Sequence, residues 1–137
     1  MDKDKINTLI EMLLAVENYA KDIHYNCSGA NFYGDHLFAD RIGEGLNDYI
    51  DQLKEVCLLG HGIKTLPSGE YLVRASEYIP LDINFENMRE LLLKTLAHIE
   101  TVGTDTISKG DDNLISSIAQ DIQNNIGLIN VMLGRLA

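Results

Sequence analysis

Five side chains able to ligate a metal stand at His24, His36, Asp40, Asp51 and Glu55, spaced twelve, four, eleven and four residues apart. Imidazole and carboxylate together suit a divalent first-row metal such as iron(II), and zinc can substitute on the same donors. Singly, each has a plainer reading. A histidine near a helix C-terminus is more often a cap or surface residue, and an acidic row is more often a solvated face. The joint spacing is what points to a metal. On a helix advancing about 100° per residue, with His36 at 0°, Asp40 stands at about 40°, Asp51 at about 60° and Glu55 at about 100°. No proline interrupts this stretch, so one helix from about Phe32 to about Leu59 is expected to carry all four on one face.

Eleven residues separate Asp40 from Asp51, which at about 1.5 Å rise per residue is roughly 16 Å along the axis. The His36/Asp40 and Asp51/Glu55 pairs therefore cannot serve one ion within one chain. Two chains can bring them together if this helix crosses its twin antiparallel about a two-fold axis near residues 45 and 46, which makes two equivalent sites. Gly43 lies on the same stripe near the expected crossing, where a missing side chain lets two helices approach closely.

The five ligand types at these spacings resemble the ferroxidase signature of the Dps-type miniferritins, a branch of the ferritin-like four-helix bundles. His24-Tyr25 stands where that family usually has His-Trp. Gly29-Ala30-Asn31-Phe32-Tyr33 is similar to its Gly-x-Asn-Phe-aromatic turn, and Asp51-Gln52-Leu53-Lys54-Glu55 to its Asp-x-x-x-Glu. The likeness is strong over 20–60 and weaker, though in register, elsewhere. It implies an intersubunit iron site, oxidation of iron(II) by peroxide or dioxygen, and a twelve-subunit shell holding ferric mineral. It also implies that Tyr25 stands in for an aromatic ring beside the site.

Composition bounds the rest. The 137 residues, 45% of them hydrophobic, suffice for one domain over 1–137 with a real core. The first residues show neither a basic segment leading into an uninterrupted apolar run nor a small-residue cleavage site, so a soluble cytoplasmic protein without a membrane span is expected. Cys27 and Cys57 fit free thiols in a reducing compartment. A formal charge of −10 argues against affinity for nucleic acid, which needs a cationic surface to displace counterions. Lys3 and Lys5 alone stand before Ile6, each beside an aspartate, so the basic tail through which many of the family bind DNA is not expected here.

The positioning elements read as all-α. Apolar residues at three- and four-residue steps give a first helix over 3–25, carrying His24 near its end, with a turn following at Asn26. Leu37, Ile42, Leu46, Tyr49/Ile50, Leu53, Val56 and Cys57 supply the apolar stripe of the second. Residues 60–82, with both prolines, read as a long crossover with room for a short helix near Gly69 to Ser76, and His61 and Lys64 as its loop residues. A third helix, from about Asn84 to about Val102, is capped by Asp82 or Asn84 and holds His98 as an ordinary residue. A fourth, capped by Asp111 or Asp112, buries Ile115, Ile118, Ile122, Ile126, Ile129, Leu133 and Leu136.

The third and fourth helices carry no carboxylate–histidine pair at the spacing an intrachain di-metal site needs, which favours the arrangement between chains. The expected fold is thus a ferritin-like antiparallel four-helix bundle with a long crossover between helices 2 and 3. The expected activity is ferroxidase and iron storage by a homo-oligomer. The alternatives are a non-catalytic helical assembly protein whose acidic stripe is a subunit contact, and a redox-silent metal-binding protein.

Overall fold

The computed structural model describes residues 1–103 and 107–135, and among these the secondary structure is helical throughout, without strands. The first helix, α1 (Lys3–Asn26), starts where the Asp2 carboxylate accepts from the amides of Asp4 (2.9 Å) and Lys5 (3.2 Å). Its apolar residues face several neighbours, and Ile6, Leu9, Leu13, Val16 and Tyr19 are sealed from solvent. α1 packs against α2 (Phe32–Gly43), α3 (Leu46–Glu55), α4 (Ser68–Ser76) and α5 (Phe85–Gly103), while α6 (Lys109–Met132) lies on α5. Each fully buried aliphatic chain of this kind contributes roughly 1.5–3 kcal/mol. α1 is thus the element on which α2, α3, α4 and α5 dock.

The expected helix from Phe32 to Leu59 is not continuous. α2 ends at Gly43, Glu44 is extended (φ −64°, ψ 134°), and Gly45 takes φ +81° before α3 begins. Only glycine enters that left-handed region without a Cβ clash, so Gly45 permits the break. Gly43 does mark a close helix approach, but its partner is α1 of the same chain: a Cβ there would lie 3.3 Å from the Ala20 Cβ. The apolar stripe is also shorter than expected, because Leu37 is exposed.

Beyond Glu55 the helix widens into one π turn, Val56–Gly60, which closes with the amide of Ile63 on the Cys57 carbonyl (2.8 Å). His61, expected as a plain loop residue, follows directly and bonds through Nε2 to the buried Asp111 at 2.7 Å. That bond ties the start of the crossover to α6.

The crossover holds its short helix, α4, where the spacing placed it. Buried Tyr71 donates to the Asn7 side-chain oxygen on α1 (2.7 Å) and accepts from the Leu66 amide (3.1 Å). Arg74 reaches the buried carboxylate of Glu11 at 3.3 Å. Burial raises the Glu11 carboxyl above its usual range, and the bond to Arg74 offsets part of that.

Tyr19 then anchors the far end of the crossover, donating to the Asp82 carbonyl at 2.5 Å and accepting from the Asn84 amide at 3.0 Å. Asn84 caps α5, its side chain accepting from the Asn87 amide at 2.7 Å. His98 binds the Lys5 carbonyl at 2.7 Å, a contact between α5 and α1. The cap of α6 is Ser108, not Asp111 or Asp112, since its hydroxyl accepts from the Asp111 amide at 3.2 Å. The five isoleucines from Ile115 to Ile129 are buried, Leu133 is exposed as the helix ends, and Leu136 lies outside the described residues. No described helix is long and apolar enough to cross a membrane.

Candidate metal centre

Two of the five candidate ligands meet directly. The turn at 27–31, with Gly29 at φ +93°, folds α2 back beside the end of α1 and sets His24 against His36. Their rings stack at 3.6 Å between centroids. The Nδ1 of each lies 2.7 Å from the backbone carbonyl of the other, so each Nδ1–H is a donor. A neutral imidazole held this way carries its lone pair on Nε2, the tautomer a metal requires. Phe32 stacks on His36 at 5.0 Å, and the Tyr25 ring meets His24 edge-on at 5.0 Å. Both imidazoles are half-buried.

Asp40 is exposed and, with His24, lines a hollow of about 510 Å³ that also touches Glu17, Lys21, Gly43 and Glu44. Asp51 borders a different, smaller hollow with Asp48 and Lys54. Glu55 borders a third, between α3 and the start of α6, together with Asp111. The helix break therefore overturns the single-face expectation in one respect. His36 and Asp40 belong to α2, Asp51 and Glu55 to α3, and one helical wheel does not relate the two pairs. Among the described residues no three His, Cys, Asp or Glu side chains of one chain are grouped to hold a metal ion.

Exposed apolar side chains stand near these groups in the sequence. Phe32, Tyr33 and Leu37 are exposed beside His36, and Leu58 and Leu59 beyond Glu55, with Leu59 80% accessible. Large aliphatic and aromatic chains gathered beside polar groups are a feature of surfaces that meet a partner.

Glu44 escaped the sequence reading although it stands four residues after Asp40, the same step that relates His36 to Asp40. The His61–Asp111 bond carried no local signal, since fifty positions separate the two. Compared with known proteins, the chain matches no family model and no curated protein.

Proposed function

We propose that the chain is a ferroxidase and iron-storage protein of the Dps type, built as a ferritin-like antiparallel four-helix bundle in which α2 and α3 together form one interrupted helix. The observation that carries this reading is the His24–His36 pair. Both Nδ1 atoms are committed to carbonyls, and among the described residues neither Nε2 has a hydrogen-bond partner. Asp40, Asp51 and Glu55 are exposed and form no ion pair among the described residues.

In this reading His24, His36 and Asp40 of one copy face Asp51 and Glu55 of a second about a two-fold axis, with the exposed apolar chains closing around them. Iron(II) is the substrate. Two iron(II) ions give one electron each to one peroxide, whose O–O bond breaks to two hydroxides; dioxygen, taking four electrons, is the other candidate oxidant. Carboxylates favour the ferric product by charge and hardness, and imidazole favours the ferrous entry state. A twelve-subunit shell would store the mineral. Zinc can occupy the same donors without turnover.

The reciprocal bonding also favours a second reading, in which the histidines only clasp α1 to α2 and the acidic groups form a subunit contact. Adding iron(II) and peroxide to metal-free protein, with ferric absorbance and particle mass by light scattering followed together, separates the readings. Saturable ferric growth that His36→Ala plus Asp40→Ala abolishes supports the ferroxidase. An assembled particle without ferric growth supports the clasp, and metal uptake without ferric growth makes the protein a redox-silent binder.

A further inference from the structure

Tyr49 of α3 borders two hollows. One, of about 300 Å³, also touches Arg41, Glu44, Asp121 and Asn125; the other, of about 730 Å³, is bordered by Glu55 and the first turns of α6. The ring is half-buried against the core, and its hydroxyl donates to one carboxylate oxygen of Asp121 on α6.

The chain has six tyrosines and no tryptophan. Among the described residues, Tyr49 is the one tyrosine whose hydroxyl donates to a carboxylate. Tyr19 donates to the Asp82 carbonyl and Tyr71 to the Asn7 amide oxygen, and both acceptors are weak bases. Tyr25 and Tyr33 are exposed, and no described residue bonds their hydroxyls. The difference matters because a phenol that loses an electron and keeps its proton becomes a strongly acidic radical cation. Its electron leaves readily only where a base within hydrogen-bond reach takes the proton. An ionised carboxylate, which only accepts, is such a base.

We propose that Tyr49 is a redox-active tyrosine, which gives one electron to an oxygen-centred radical of the peroxyl class while its phenolic proton passes to Asp121. The O–H bond of Tyr49 breaks and a new O–H bond forms on the Asp121 carboxyl. The tyrosine becomes a neutral radical, and the oxidant ends as its peroxide anion. Asp121 is a positioning residue for the ring as well as the acceptor of the proton. The proposal goes beyond the iron reading and does not require it, since such radicals also arise in solution.

Azide radical, a one-electron oxidant made by pulse radiolysis, serves as the probe on the full chain. With no tryptophan present, the aromatic radical it leaves is tyrosyl, followed by absorbance. Tyr49→Phe is expected to lower the tyrosyl yield several-fold, whereas Tyr33→Phe, which removes an exposed ring, should leave it near wild type. Asp121→Asn keeps the Tyr49 ring but removes the base, and should slow radical formation several-fold; Asp121→Glu should restore much of the rate. Formation in wild type should also be slower in deuterium oxide, a difference that a purely structural Asp121 would not produce.

Equal tyrosyl yield in wild type and Tyr49→Phe overturns the proposal. So does an unchanged rate in Asp121→Asn, which would leave the carboxylate without a part in the proton transfer. If the radical depends on Tyr49 and Asp121 but iron(II) and peroxide give no ferric product, the ferroxidase reading fails and the redox role of Tyr49 stands.

Discussion

His24 and His36 hold one another: each ring donates through Nδ1 to the other's main-chain carbonyl at 2.7 Å, and the two rings stack at 3.6 Å. Because the acceptors are main-chain atoms, alanine at one position removes one bond and the stacking but leaves the other bond possible. Each single variant should lose about 1 kcal/mol in urea denaturation, and the pair should depart from additivity only by the stacking. Wild-type stability in both variants would mean that the clasp does not hold the α1–α2 turn.

Two glycines near the junction of α2 and α3 serve different ends, Gly45 the break and Gly43 the approach of α1. Gly45→Ala places a Cβ at φ +81° and should cost about 1–2 kcal/mol. Gly43→Ala sets a Cβ at 3.3 Å from that of Ala20, and overpacking of this kind costs about 1–3 kcal/mol, offset in part by better helix propensity. Ala20→Gly by itself should cost about 1 kcal/mol in helix propensity, and combined with Gly43→Ala the total loss should be smaller than the sum of the two single losses. Strictly additive losses would place the strain elsewhere.

The docking of α4 rests on one phenol. Tyr71→Phe removes the donor to buried Asn7 and the acceptor for the Leu66 amide, leaving both unsatisfied, and should cost about 1–3 kcal/mol. Amide exchange should speed up across Ser68–Ser76 before it does in α1. Uniform acceleration over the whole chain would show that α4 does not open independently.

Tyr49 makes stability depend on alkaline pH. Its phenol is held neutral in the folded chain up to about 12. An unfolded tyrosine ionises near about 10. The contribution is therefore fully present below the unfolded value and is lost as pH rises from there through the folded one. Tyr49→Phe should flatten this part of the stability profile. Asp121→Asn should bring the phenol down only part of the way, because burial is the larger cause. An ultraviolet titration of the phenolate unchanged by Asp121→Asn would contradict the assignment.

Much of the helical layout was legible in local pattern. Apolar residues at three- and four-residue steps mark α1, α5 and α6 whatever they pack against, and the prolines and glycines of 60–82 mark the crossover with its short helix at Ser68–Ser76. The five candidate ligands were legible as types and intervals. The exception was the segment after Phe32, whose periodicity continues past Gly43. Periodicity records which residues are apolar, not whether the backbone between them stays helical. Gly43 and Gly45 stand two positions apart, and nothing local to them says which of the two leaves the helix.

What the chain alone determined is therefore the helical composition, the crossover and the set of groups able to ligate a metal, because each follows from residue type and spacing within one segment. Tertiary structure decided where the long helix breaks, that Gly43 serves the approach of α1, that His24 and His36 orient one another, and that Glu44 borders two hollows. Those outcomes depend on contacts between segments distant in sequence, such as Gly43 with Ala20 and His61 with Asp111, whose geometry no local pattern encodes.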